Sequence, residues 1–249
     1  MLNAKRIIVT GGASGMGLTM VGGYAVRGAR VVSLDINPAG AEVAKAAGAD
    51  FIACDLSEQS AVDGAVAKAA EIMGGIDVLV HAAGICPPVA AEDITLAQWS
   101  QVMTVNATST FLINQAVFPF LKTGGGKIIN FASGMGVLGA PGQAHYAASK
   151  GAVLAWSRSL AVAWGRYGIT VNAIAPAIWT PMYDRTRASM TPEQLAKHDE
   201  EQARKRPIGG KLGDAERDFM PMMAFLASDG ANFLTGQLYK IDGGGLMLS

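Results

Sequence analysis

The sequence is poor in the residues that mark a chain for nucleic acid, metal, membrane or the extracellular space. Lysine and arginine total 20 against 20 aspartates and glutamates, so the formal charge is zero. With no cationic excess and no basic cluster, nothing is available to neutralise a phosphate backbone. There are only three histidines and two cysteines, Cys54 and Cys86, and none falls in a zinc-ligand spacing. No metal site is expected. Two cysteines cannot build a disulfide framework, and both read as small apolar core residues. No apolar run reaches the ~18 residues of a membrane span, and the start MLNAKRIIVTGG lacks the apolar stretch of a leader. A soluble protein of the reducing cytoplasm is expected.

Glycine, by contrast, is abundant: 31 residues, gathered at predicted strand ends rather than in a low-complexity tract. Half of the 249 residues are hydrophobic, enough for a real core. Lys5–Thr10 reads as a short buried strand, followed by the turn Gly11-Gly12-Ala13-Ser14-Gly15-Met16-Gly17 and a helix over Leu18–Val26. Strand, glycine turn and helix in succession favour a phosphate-binding turn. A plain glycine turn is the alternative. A second strand, Arg30–Leu34, ends in Asp35, where a carboxylate would bond the ribose hydroxyls of NAD and repel the extra phosphate of NADP. Neither Ser14 nor Ile36 supplies a compensating charge. Asp35 as a solvated turn residue is the competing reading.

A helix over Ala39–Ala46, a strand Phe51–Cys54 leading to Asp55 and Leu56, a helix capped by Ser57 and running to Met73, and a strand Asp77–His81 follow. Repeated strand-helix units predict an α/β fold with a doubly wound (Rossmann-type) parallel sheet of about seven strands, helices on both faces and ligands at the strands' carboxyl ends. Gly11, Asp35, Asp55 and Gly84 fall at such ends. Trp99–Leu121 reads as a long helix, apolar nearly all round and kinked near Pro119. Lys127–Ala132 is the fifth strand and delivers Ser133. Tyr146–Trp164 is a second broadly apolar helix, and Ile169–Ala175 the sixth strand. Such wide apolar helices suit burial between subunits, so a homo-oligomer is expected, with core packing as the alternative. The segment 181–212 is charged, with a capped helix starting at Thr191, and would cover a substrate. Asp214 caps a helix to about Ala227, and Gln237–Ile241 closes the sheet. One domain, 1–249, is expected.

Tyr146 and Lys150 stand four apart, so on a helix both project from one face. A phenol titrates near pH ~10, and an ammonium beside it favours the phenolate. Lowering that value by roughly three units takes about 4 kcal/mol and gives an acid/base poised near neutrality. Ser133 could bond the same substrate oxygen. The pair alone also arises by chance, so its meaning depends on context.

The chain closely resembles the short-chain dehydrogenase/reductase family, in its single-domain branch of about this length. The resemblance runs from Lys5 to Gly244 through Thr10-Gly11-x-x-x-Gly15-x-Gly17, Asp35, Asp55, Ala83-Gly84, Asn106, Ser133, Tyr146-x-x-x-Lys150, Asn172, Pro176 and Asp242-Gly243-Gly244. It implies a division of labour. Tyr146 would be the acid/base, and Lys150 would lower its pKa and hold the nicotinamide ribose. Ser133 would polarise the carbonyl, and Asn106 would hold a relay water. The cofactor would lie on Gly11, Ser14, Gly15, Met16 and Gly17. Asp35 and Ile36 would meet its adenine ribose and Asp55 and Leu56 its adenine. Ala83, Gly84, Pro176, Ile178 and Thr180 would complete the site. By analogy of position, substrate contacts fall on Gly134, Met135, Gln143, His145, Trp179 and Met182, an apolar set, with Arg185 or Arg187 as a conceivable anion partner.

Three departures stand out. His81 replaces the family asparagine, as a structural stand-in or as a catalytic group. Pro176-Ala177 replaces Pro-Gly, and the run to Thr180 is one residue short, which bears on the contacts of Ile178 and Thr180. His145 is either a helix-start residue or a substrate contact. The expected activity is NAD-dependent interconversion of a secondary alcohol and a ketone, by a homotetramer if the family pattern holds. The alternatives are a 3-oxoacyl carrier-protein reductase using NADPH and a non-catalytic NAD-binding regulator.

Overall fold

The computed structural model describes residues 2–247. Its frame is one seven-stranded sheet in the order β3-β2-β1-β4-β5-β6-β7, with every neighbouring pair parallel. The strands are β1 (Arg6–Thr10), β2 (Arg30–Asp35), β3 (Asp50–Ala53), β4 (Val78–His81), β5 (Gly126–Phe131), β6 (Ile169–Pro176) and β7 (Leu238–Ile241). The helices are α1 (Gly15–Ala25), α2 (Gly40–Ala46), α3 (Gln59–Met73), α4 (Leu96–Met103), α5 (Ser109–Leu121), α6 (Met135–Leu138), α7 (Ala144–Trp164), α8 (Pro181–Ala188), α9 (Pro192–Lys205) and α10 (Met220–Ala227).

Strand residues are mostly apolar on both faces because both faces are covered. Successive side chains then divide between two cores. Ile8, Leu79, Ile128 and Val171 join Val62 and Val66 of α3, Leu112 and Val117 of α5 and Leu160 of α7. Ile7, Val9, Val78, Val80, Ile129 and Ile174 point the other way, onto Met20, Val21 and Tyr24 of α1 and Met220 and Met223 of α10. The strand order reverses its direction of growth between β1 and β4. That junction opens the crevice in which ligands of such sheets bind.

Several boundaries differ from the sequence reading. The first helix begins at Gly15 rather than Leu18, so the last two turn glycines are helical. Ser57 does not cap α3; its hydroxyl and its N–H both donate to Asp55, and Glu58 is the N-cap. The long helix starts at Leu96, where Thr95 and Gln98 form a capping box. It then widens into a π turn over Thr104–Thr108 before continuing through Pro119 to Leu121. In the covering segment, α8 is an unforeseen helix, started by the Thr180 cap and Pro181 at its first turn. The box at Thr191 forms as expected.

Candidate active site

The turn between β1 and α1 is shaped by contacts only glycine allows. Gly11 has φ +70°, and a Cβ there would lie 2.9 Å from the backbone of Ala83 beyond β4. A Cβ on Gly17 would lie 2.0 Å from the carbonyl oxygen of Gly11, which brings the start of α1 directly onto the turn. At Gly15 a Cβ would meet nothing within 4 Å. Ser14 offers no side-chain cap and the first turn of α1 holds no acid, so its N–H groups are free for an anion such as a pyrophosphate. Asp35, at the tip of the neighbouring strand, accepts from the N–H groups of Ala13 (3.0 Å) and Asn37 (2.9 Å). Its carboxylate therefore both braces the turn and stands at the crevice, beside an exposed Ile36.

Other expected cofactor residues arrive with their side chains engaged elsewhere. Asp55 is turned onto Ser57, whose hydrogen bonds hold its carboxyl below the usual range. The side chains of Leu56 and Ile178 are buried in the two cores. Thr180 caps α8 through its hydroxyl. The shortened loop after Pro176 is held by a pair of hydrogen bonds, Gly213 N–H to Ala177 O (3.0 Å) and Trp179 N–H to Gly213 O (2.8 Å).

Asn106 lies inside the π turn and is fully buried. Its side chain clamps Ile85 at both backbone atoms, accepting from N–H (2.8 Å) and donating to O (2.9 Å), and donates also to Ser149 Oγ (3.0 Å). The wider turn leaves carbonyls that α-geometry would have satisfied. Ser109 and Thr110 hydroxyls bond Val105 O and Asn106 O, each at 2.6 Å. A run of small hydroxyl residues thus makes the bulge affordable.

Tyr146 and Lys150 share one face of α7, with Lys150 Nζ 5.8 Å from the phenol ring centroid. The Nζ donates to Phe131 O at the end of β5 (2.7 Å), and the side chain is almost wholly buried. A Cβ on Gly84 would approach Asn106 Oδ1 to 3.0 Å and Lys150 Nζ to 3.4 Å, so that glycine completes the junction of β4, the π turn and α7. Burial pushes the Tyr146 phenol up to about 12; the Cys86 thiol adds to this, and hydrogen bonding with Ser133 opposes it. The expected depression by Lys150 is not found; burial sets the direction. Burial likewise brings Lys150 down to about 8, with Cys86 opposing.

Cys86 is therefore near both groups and only partly buried, rather than a core residue. It is half-buried, and its thiol is pushed up to about 11 by burial, with Lys150 acting the other way. Its place two residues beyond Gly84, at the mouth of β4, was the available signal. Cys54 is buried as expected.

His81 is structural. Ser109 Oγ donates to Val105 O, so it receives its 3.2 Å bond from His81 Nε2–H. Nδ1 is then the acceptor for Thr10 Oγ1 at 2.8 Å, and Thr10 Oγ1 in turn accepts from the N–H groups of Ala82 and Ala83. A neutral ring fits this arrangement, and burial, aided by Lys150, brings its pKa down to about 3.

The expected substrate residues divide. Gly134 and Met135 adjoin Ser133, whose Oγ accepts from Met135 N–H (3.1 Å). Gln143 is held in the loop before α7 through the bridge of that residue with Val89. Met182 is exposed on α8. His145 is sealed inside, fully buried, with neither ring nitrogen hydrogen-bonded among the described residues. Trp179 donates through Nε1 to Asp184 (2.7 Å), meets Tyr183 edge-on at 4.9 Å and lies under Arg187 at 5.1 Å. Arg187 is paired with Asp199 and is not free for a substrate anion; Tyr183 OH meets His198 Nε2 at 2.7 Å. This clasp joins α8 to α9. Arg185 is exposed.

The sequence model of a family described as "Enoyl-(Acyl carrier protein) reductase" matches residues 11–245. The chain is 38% identical to 2,5-dichloro-2,5-cyclohexadiene-1,4-diol dehydrogenase of Sphingobium indicum, over 98% of this chain and 96% of that protein. It is 35% identical to gluconate 5-dehydrogenase of Gluconobacter oxydans, over 98% and 95% of the two. The crystal structure of levodione reductase superposes with a TM-score of 0.89 at 30% identity, covering 98% of each chain. On the parallel sheet, the glycine turn and these full-length likenesses, the chain belongs to the short-chain dehydrogenase/reductase family of oxidoreductases, which bind nicotinamide cofactors.

Proposed function

We propose that this protein is an NAD(H)-dependent oxidoreductase that interconverts a secondary alcohol and a ketone. The observation that carries the reading is the placing of Lys150 beside the Tyr146 ring and on Phe131 O at the carboxyl end of β5, two residues before Ser133, with Asn106 across Gly84. A substrate oxygen held between the Tyr146 and Ser133 hydroxyls receives two donors at the atom where negative charge develops on reduction. Tyr146 gives its proton to that oxygen, or takes it back in the oxidative direction. Lys150, a buried cation anchored to Phe131 O, would hold the ribose of the nicotinamide and lie beside the Tyr146 ring. Asn106 holds the β4 loop through Ile85 and so fixes Gly84 against Lys150. The bound nicotinamide supplies the hydride donor or acceptor.

Choice of NAD over NADP rests on Asp35. On this reading its carboxylate, at the tip of β2 beside the glycine turn, would repel a 2′-phosphate, and Ser14 and Ile36 supply no compensating charge. The proteins it resembles include those named for gluconate, D-threitol and sorbitol oxidation and for levodione reduction, each consistent with this chemistry. We propose also a homotetramer in the cytoplasm, with Phe111 and Phe120 of α5 and Val162 of α7, all exposed in the single chain, covered between subunits.

Tryptophan-quenching titration with NADH and NADPH, on the wild type and on Asp35→Asn, tests the cofactor. NADH should bind the wild type at least ~10-fold tighter, equivalent to about 1.4 kcal/mol, and the substitution should close most of that gap. A wild-type preference for NADPH overturns the role of Asp35 and favours a reductive, acyl-carrier substrate. Absorbance screening of secondary alcohols with NAD⁺ then tests the reaction.

A further inference from the structure

The elements above define where the substrate oxygen sits but leave the wall beside Ser133 open. Gly134 has no side chain, and the space that its Cβ would enter is met at 3.5 Å by Cδ2 of Leu246, from the far end of the described chain. Leu246 is buried, at 7% exposure, yet it belongs to none of the three apolar clusters that make up the core. Core packing therefore does not account for its position.

The path to that position is built. Beyond β7 the chain turns at Asp242, whose Oδ1 accepts from Gly244 N–H (3.0 Å) and whose carbonyl accepts from Gly245 N–H (3.3 Å). Gly243 and Gly244 adopt φ +66° and +85°, open to glycine. Gly243 O accepts from Ile208 N–H (3.0 Å), a Cβ on Gly244 would lie 3.3 Å from Pro207, and one on Gly245 would lie 3.4 Å from Lys205 O. The tail is thus pressed against the end of α9, in the covering segment, and Leu246 reaches from there to the residue after Ser133.

We propose that Leu246 is a specificity-determining residue that forms the wall beside Ser133 and limits the size of the group carried by the reacting carbon on that side. This inference rests on the alcohol–ketone reading. Ser133 and Tyr146 fix the oxygen, so one substituent of the carbonyl carbon runs along Gly134, where among the described residues Leu246 meets the space. A difference of one methylene in such a pocket changes selectivity roughly 10- to 200-fold.

The test is kcat/KM with NADH for a series of ketones graded from methyl to phenyl on one side, for the wild type, Leu246→Ala and Leu246→Phe. Relative to the smallest ketone, Leu246→Ala should favour the bulkiest by about 10-fold or more, and Leu246→Phe should shift the ratio the opposite way. NADH affinity should stay unchanged in both. A common factor for every ketone, or shifts in one direction for both variants, overturns the inference. If both variants fail to fold, Leu246→Met keeps the volume and changes the shape; unaltered selectivity there overturns it equally. Turnover of no alcohol or ketone by the wild type, with NADH or NADPH, instead overturns the reading beneath it.

Discussion

Thr10 Oγ1 and His81 Nδ1 stand 2.8 Å apart, and through this bond the end of β1 reads the protonation state of a ring at the end of β4. Thr10 can donate only while Nδ1 keeps its lone pair. Its oxygen is also the acceptor for the N–H groups of Ala82 and Ala83, so the ring's neutrality supports the turn that meets Gly11.

This makes the fold acid-sensitive. The His81 pKa is about 3 in the folded chain and about 6.5 once exposed by unfolding. Between those values the unfolded chain binds the extra proton, so stability rises with pH and is lost as pH falls from about 6.5 toward 3. His81→Asn removes the titration. Thermal midpoints measured from pH 7 to pH 4 should fall less steeply for the variant than for the wild type. Parallel slopes would remove His81 from the acid transition.

Tyr146→Phe keeps the ring and deletes the hydroxyl. The loss of a positioned acid/base should lower kcat by about 10²–10⁴ while NADH binding persists. In the wild type, a phenol held at about 12 stays protonated from pH 7 to 10, so the two directions differ in their pH profiles. The kcat/KM for alcohol oxidation should climb as pH rises from 7 to 10, and that for ketone reduction should stay level. Profiles that rise together would assign the proton to another group.

Glycines in this chain separate into those that substitution harms and those it helps. Gly17→Ala sets a methyl 2.0 Å from Gly11 O, and such overpacking costs typically 1–3 kcal/mol. Denaturant titration should show that loss together with weakened NADH binding. Gly64, exposed within α3, has nothing within 4 Å of its Cβ position. Gly64→Ala should stabilise by about 0.5–1 kcal/mol with activity unchanged.

The clasp of Trp179, Tyr183, Arg187 and Asp199 should control access to the site. Asp199→Ala frees Arg187 and loosens α9 from α8. Trypsin should then cut between residues 185 and 206 faster than in the wild type, and KM should rise more than kcat changes. An unchanged digestion pattern would show that the two helices are held by other contacts.

The strands were legible because a doubly covered parallel sheet demands mostly apolar runs, and each run in the sequence became a strand within a residue or so of its expected ends. The positions of the glycine turn, Asp35 and Ser133 at one edge were legible for a related reason: the sheet delivers whatever follows each strand to the same edge, and the spacing of four put Tyr146 and Lys150 on one face of α7. What escaped depends on contacts distant in sequence. The burial of His145 within α7, the turning of Asp55 onto Ser57, and the arrival of Leu246 beside Gly134 have no local pattern. The burial that raises the Tyr146 phenol also escapes a reading from spacing, which reports the neighbouring charge but not desolvation.

The π turn at Asn106 has a consequence for tolerance to deletion. A π turn holds one residue more than the same length of α-helix needs, and each residue rotates a helix by about 100°. The stretch from Leu96 to Leu121 therefore carries a spare residue within it. Loss of one residue there can be absorbed by a return to α-geometry, with both flanking helices keeping their packing. Asn106 would then swing away from Ile85, and the β4 loop would lose the clamp that holds Gly84 against Lys150. The helix would survive such an event, and the site would not.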